Sequence, residues 1–261
     1  MKLRQSKKLA ITLGIVAAGT GIALAAGQGA LSKPTADEPN SPRPVLVELF
    51  TSEGCSSCPP ADALLQALDH EQNVPGAHVI VLSEHVDYWN HEGWRDPFSS
   101  AEITARQEAY VNRFSQPSAY TPEAVVDGAK GLNGADSRGL TSAIEEAVQR
   151  PTVPIEIRNA AVSGRTVVAD ITVTEHPKAD LYAVLADDHD ESSVSRGENS
   201  GRHLTHVAVL RVISKVGSTN DGFSKQIHVS LPEHAQTKLR LVVFAQERGT
   251  GRVLGVSETR L

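Results

Sequence analysis

The stretch that most constrains this chain is Val45-Leu46-Val47-Glu48-Leu49-Phe50 followed by Thr51-Ser52-Glu53-Gly54, Cys55-Ser56-Ser57-Cys58 and Pro59-Pro60. An almost wholly apolar run of that length reads as a strand covered on both faces. The polar turn with its glycine then delivers Cys55 to the start of an amphipathic helix. At a helix start the first amides lack partners and the dipole favours negative charge, so a thiolate there is stabilised. Cys55 is therefore expected to be an accessible, acidified thiol. Cys58, in the first turn, is placed to resolve a mixed disulfide formed at Cys55. Strand, turn, Cys-x-x-Cys and helix together point to redox chemistry.

The chain downstream continues in kind. Pro59 suits a first helical turn, and Asp62 complements the dipole there. Ala61, Leu64, Leu65 and Leu68 share one face, and Asn73-Val74-Pro75-Gly76 ends the helix. Val79 to Leu82 predicts a second buried strand. Ser99 with Glu102 forms a capping box for a helix whose face is Ile103, Gln107, Tyr110, Val111 and Phe114. Ala124 to Val126 predicts a strand closed by an Asp127-Gly128 turn, with a partner strand near Lys130 to Leu132. Asp136 caps a last helix, which Pro151 stops. The order is β-α-β-α-β-β-α over residues 43–150.

From Thr152 the pattern changes to short alternating runs: Ile155–Ile157, Thr166–Thr174, Leu181–Leu185, Val207–Ile213, Ile227–Leu231, Leu239–Ala245 and Val253–Val256. Residues 151–261 are accordingly expected to form an all-β antiparallel sandwich. The polar interruption from Asp187 to His203 is too long for a plain hairpin and is a candidate cover for a functional surface.

The N-terminus reads as a targeting segment. Lys2, Arg4, Lys7 and Lys8 precede an apolar, Gly- and Ala-rich run, and Ala23-Leu24-Ala25 offers the small residues of a cleavage site. Residues 1–26 are thus expected to be a signal peptide, and 27–42 a polar, disordered leader. The competing reading is an uncleaved anchor, the only membrane contact envisaged. Either places the protein in the periplasm or outside the cell. There a lone pair of cysteines, the chain's only two, rests as a disulfide unless something reduces it. A net charge of −6 without a basic run argues against nucleic acid.

With Cys55-Ser56-Ser57-Cys58 and Thr121-Pro122, the first part resembles the thioredoxin superfamily. The resemblance implies an α/β thioredoxin-like domain, a cis-proline at Pro122 shaping the substrate groove, and Thr121 beside it. The chain is closer still to an uncharacterised bacterial secreted family with a thioredoxin-like domain of unknown function (domain of unknown function 1223). That likeness is carried by Leu49 to Asp62, His85-Val86-Asp87-Tyr88-Trp89, Gly93 to Phe98, Tyr120-Thr121-Pro122, Val125 to Gly128 and Gly197 to Arg202. Unlike ordinary thioredoxins, the chain has no Trp before Cys55, and Ser-Ser separates the cysteines. Both positions influence thiol pKa and potential.

Around this centre, His85 and Asp87 are expected to act as a proton-handling pair, since side chains two apart on an extended segment point the same way. The plainer alternative is a histidine bonding backbone at a strand end. Tyr88, Trp89 and Trp94 form either an aromatic wall for substrate or packing beneath a loop. Glu48 is either a buried acid taking the proton of Cys58, as a buried carboxylate does in thioredoxins, or a side chain at the sheet surface. Glu198, Asn199, Arg202 and His206 surround a loop able to reach back over the first part, with capping and salt bridges as its simplest roles. The resulting expectation is an exported thiol–disulfide oxidoreductase without a cofactor, acting on an extracytoplasmic thiol- or disulfide-containing protein or small thiol. Two competitors stay open. One is a non-catalytic binding module holding copper through Cys55, Cys58 and His85, with His91 as a further candidate ligand. The other is a structural adaptor.

Overall fold

The computed structural model of the protein describes residues 41–232 and 236–261. The expected signal segment, nearly all of the leader, and His234 lie outside them. In chain order the elements are β1 (Arg43–Thr51), α1 (Pro59–Glu71), β2 (Ala77–His85), α2 (Ala101–Phe114), β3 (Glu123–Val126), β4 (Lys130–Asn133) and α3 (Ser137–Val148). There follow β5 (Glu156–Ser163), β6 (Thr166–Val173), β7 (Ala179–Ser193), β8 (His203–Ser218), β9 (Phe223–Ser230), β10 (Leu239–Glu247) and β11 (Val253–Arg260).

Local signals account for most of these boundaries. Cys58 is the N-cap of α1, with proline in the first turn, and Gln72 closes the helix in the left-handed region. Asp136 caps α3 by accepting from Gly139 N. The cap of α2 is Ser100, one residue beyond the expected Ser99, because it is Ser100 Oγ that accepts from Ile103 N. Asp127 and Gly128 both have positive φ in the three-residue turn, Asp127 to Ala129, that joins β3 to β4, where Ala129 N donates to Val126 O.

The expected architecture, a thioredoxin-like α/β domain followed by an all-β antiparallel sandwich, is not what the chain forms. Among the described residues strand outweighs helix, 46% against 18%. Its centre is one mixed eight-stranded sheet in the order β11-β10-β7-β8-β2-β1-β3-β4. β1 and β2 are parallel, β3 and β4 run antiparallel, and β8 lies parallel beside β2 with Ser83 opposite Val209. Strands from the second half thus extend the sheet of the first half, leaving only β5-β6-β9 as a separate three-stranded layer.

Burial on both faces explains the difference. Leu181, Ala183 and Leu185 of β7 and Leu241, Val243 and Ala245 of β10 pack with Val167, Ala169, Ile171 and Val173 of β6. The intervening Val184, Ala186, Val242 and Phe244 turn to the other side, into the core that holds Tyr110 of α2. Inner strands covered on both sides need continuous apolar runs, which is how Leu181–Ala186 and Leu239–Ala245 are written. A further tie crosses the sheet region. Buried Arg240 of β10 donates from Nη1 and Nη2 to Asp69 of α1 at 2.6 and 2.8 Å, and from Nε to Asp188 of β7 at 2.6 Å. β7 also runs on to Ser193, so the polar interruption expected from Asp187 shrinks to the loop 194–202. No helix among the described residues is long and apolar enough to cross a membrane.

Candidate functional site

Cys55 and Cys58 are joined by a disulfide, with Cα atoms 5.4 Å apart, where β1 hands over to α1. Ser57 Oγ donates to Cys55 Sγ across 3.4 Å. Ser56 and Ser57 are exposed, but neither cysteine has accessible surface, which corrects the expectation of an open sulfur at position 55. The loop 194–202 between β7 and β8 is bonded to this turn. Buried Asn199 donates from Nδ2 to the carbonyls of Glu53 and Cys55, both at 2.9 Å, and Glu198 accepts from Ser56 N at 3.3 Å. A pair of main-chain bonds, Val194 N to Arg202 O and Gly201 N to Val194 O, closes the base of the loop.

Beneath the disulfide lies a buried polar cluster. Asp62 follows Cys58 by one helical turn, so the two lie on the same side of α1. Asp62 accepts from Thr51 Oγ1 at 2.8 Å, and its Oδ1 is 4.0 Å from His206 Nδ1. Burial raises its pKa above the usual carboxylate range, against the pull of His206 and His85. Glu53, two residues before Cys55, accepts from Trp94 Nε1 at 2.8 Å and from Ser192 Oγ, and lies 3.2 Å from His206 Nε2. Asp96 accepts from Glu53 N at 2.9 Å and meets His85 Nδ1 at 2.7 Å. Burial opposes the charged form of His85, but Asp96 outweighs it and the histidine pKa is raised. Burial likewise works against ionised Asp96, yet His85 holds its carboxyl below the ordinary value. The His85 and His206 rings meet edge to face with centroids 4.6 Å apart, and Phe98 closes the group.

A cleft of about 210 Å³ between α1 and β8 is lined by Pro59, Asp62, Gln66, His203 and Thr205 among others. The Thr121–Pro122 peptide bond is cis. Trp89 donates from Nε1 to Thr121 Oγ1 at 2.8 Å, while its Cβ lies where a side chain on Gly54 would come within 3.0 Å. Trp89 therefore joins the cysteine turn to the Thr121–Pro122 segment. Gly134 lets Leu49, Pro122 and Ala61 converge, since a Cβ there would sit 2.6, 3.2 and 3.3 Å from them. Replacing Gly134 with alanine is expected to cost about 1–3 kcal/mol by overpacking, read as a lowered urea midpoint.

The remaining expected residues fall elsewhere. The carboxylate paired with His85 is Asp96; Asp87 instead accepts from Thr104 Oγ1 at 2.6 Å. Tyr88 donates to Gln107 at 3.2 Å, its phenol pushed up to about 12 by burial. Trp94 is engaged with Glu53. Glu48 is buried but bonded to Arg106 and Tyr110 of α2. Alternation along β1 sets it opposite the side of Thr51, which faces Asp62 on α1. As for Cys55, Cys58 and His85 holding a metal, the sulfurs are bonded to each other, and no group of three or more His, Cys, Asp or Glu among the described residues is arranged to hold a metal ion.

The model of a family described as "Protein of unknown function (DUF1223)" matches residues 46–246. The chain belongs to that family. Its matched span runs from the middle of β1 to the end of β10 and so takes in the disulfide, the covering loop and the buried cluster. A crystal structure of a protein from Agrobacterium tumefaciens is similar, with 28% identity and a TM-score of 0.60 over 82% of this chain and 92% of that one. OgpA from Akkermansia muciniphila overlaps 43% of this chain and 28% of its own at 7% identity, with a TM-score of 0.25, too low to bear on the family's fold or chemistry. No curated protein matches.

Proposed function

We propose that this protein is an extracytoplasmic thiol–disulfide oxidoreductase that works through Cys55 and Cys58. The observation that carries this reading is Asp62: a buried carboxylic acid with a raised pKa, one turn along α1 from Cys58 and in contact with a solvent cleft. A purely structural bridge closing so short a loop adds little stability and has no use for such an acid.

In the oxidising direction, a thiolate of a dithiol partner attacks Cys55 Sγ. The Cys55–Cys58 bond breaks as the mixed disulfide forms, and Cys58 leaves as a thiolate. Asp62 gives that thiolate its proton and regains one from solvent through the α1–β8 cleft. The partner's second thiolate then attacks its own sulfur in the mixed disulfide, releasing Cys55 as a thiolate and leaving the partner oxidised. Reduction of a partner disulfide runs the same steps backwards, with Cys55 as nucleophile and Cys58 as resolver. The first two residues of α1 are prolines and the amides of Cys58, Ala61 and Asp62 are bonded to main-chain carbonyls, so the thiolates draw on the positive end of the α1 dipole and not on free N–H groups. Trp89 and Thr121 line the partner's approach, and Asp96 with His85 braces the Glu53 turn that presents Cys55.

The test is exchange with reduced glutathione and turnover of insulin, comparing wild type with Cys55→Ser. Loss of at least 10³-fold in exchange (~4 kcal/mol) is expected in the variant. Equal rates would remove the enzymatic reading.

A further inference from the structure

Neither cysteine has accessible surface, and the loop 194–202 is bonded to the main chain on either side of Cys55. Its hold on the cysteine turn is polar and local: two bonds from Asn199 Nδ2 and one contact from Glu198. Exposure alternates sharply along it, since Ser195, Arg196, Gly197, Glu198, Ser200 and Gly201 are exposed and only Val194 and Asn199 are buried. Gly197, at φ +74°, packs against the 92–94 segment so closely that a Cβ would lie 3.1 Å from Glu92 O and 3.2 Å from Trp94 Cβ. The base of the loop is closed by main-chain bonds within it, Val194 N to Arg202 O and Gly201 N to Val194 O.

We propose that residues 194–202 form a lid over the disulfide, latched by Asn199, and that lid opening controls access of thiols to Cys55. The proposal rests on the exchange reading above and adds its regulation. Releasing the lid frees the carbonyls of Glu53 and Cys55 and the amide of Ser56, all main-chain groups that water satisfies at once, so opening requires no unfolding of the sheet. The Asn199 carboxamide carries the hold: its Oδ1 has no hydrogen-bond partner, and its two bonds to the turn are its whole polar engagement. Glu198 is a weaker second contact, and it places a carboxylate in front of the turn that repels incoming thiolates.

The experiment is reduction of the oxidised protein by dithiothreitol, followed by stopped flow, in wild type, Asn199→Ala and Glu198→Ala. The midpoint against a glutathione buffer is measured in parallel. A gating role predicts that Asn199→Ala speeds reduction roughly 10-fold or more and Glu198→Ala about 3-fold. The midpoint reports the stability of the disulfide and not the path to it, so a common midpoint for all three identifies the acceleration as one of access. Rates within twofold of wild type in both variants overturn the lid. Glu198→Ala removes an exposed side chain, so it keeps the test decisive even where Asn199→Ala folds poorly. If Asn199→Ala is accelerated toward dithiothreitol while neither protein turns over insulin or glutathione, the lid stands and the oxidoreductase reading falls. The reverse pattern, turnover without acceleration, removes the lid alone.

Discussion

Replacing Arg106 with leucine is expected to lower stability by about 3–5 kcal/mol, the largest loss anticipated from any single charge in the fold. Arg106 leans from α2 into the sheet, donating from Nε to Glu48 at 2.7 Å and from Nη1 to Gln246 of β10 at 3.3 Å. Its Nη2 reaches Glu48 as well, and Tyr110 OH at 3.2 Å, while the phenol donates to Glu48 at 2.6 Å. The guanidinium also lies over the Tyr110 and Phe244 rings at 5.3 and 5.4 Å. Glu84 sits on the next strand with its carboxyl 3.6 Å from Arg106 Nε. Burial first, and the Glu48 charge second, hold the Glu84 pKa well above the usual range. Leucine would leave two buried acids facing each other without a cation. Urea unfolding measures the loss as a lower midpoint at unchanged slope, and adding Glu48→Gln to the leucine variant is expected to restore part of it. A loss under about 1 kcal/mol would show that the cluster is not held by its cation. Because Glu48 faces away from α1, Glu48→Gln alone is expected to leave the exchange rate near wild type. A large drop would return Glu48 to the proton-accepting role that the sequence suggested for it.

The Asp62→Asn substitution is expected to separate stability from activity. The carboxamide keeps an oxygen to accept from Thr51 but has no proton to give to Cys58. Exchange should slow by roughly 10²-fold, as expected for loss of a general acid. Stability should move the other way. Asp62 has a raised pKa in the fold, so the folded protein keeps a proton that the unfolded chain releases in the ordinary carboxylate range. Across that window the unfolded state binds fewer protons, and stability therefore falls as pH rises until the folded group also ionises. Asp62→Asn removes this fall, so the variant should gain on wild type from about pH 4 until the folded carboxyl ionises, and level off beyond. Urea midpoints at several pH values, beside stopped-flow exchange rates, check both halves. An unchanged exchange rate would show that the Cys58 proton travels by another route.

Much of the first half could be read from local signals. Pro59 and Cys58 start α1, Asp136 caps α3, and Asp127-Gly128 turns the hairpin, because caps and tight turns are decided within a few residues of chain. The second half was misjudged where the rule used was alternation. Leu181–Ala186 and Leu239–Ala245 are continuous apolar runs, the mark of strands with two covered faces, and those faces are supplied by β6 on one side and α2 on the other. The candidate site was legible as a pair of cysteines and little else. Asp62 carried a usable signal, its spacing of four from Cys58, which places both on one side of a helix. Asp96 carried no sign of its pairing with His85, eleven positions away, whereas Asn199 fell in the polar stretch that the sequence offered as a candidate cover.

The sequence by itself determined that a cysteine pair stands where a buried strand gives way to a helix, because apolar runs, glycine turns and proline-led helix starts act at short range. Only the tertiary structure decided that the strands of both halves share one sheet, that His206 and Glu53 lie beneath the disulfide, and that Asn199 is the residue bonding the loop 194–202 to the carbonyls of Glu53 and Cys55. Those outcomes depend on which surfaces remain uncovered after local elements form and on which polar groups must then find partners, and both are properties of the assembled chain.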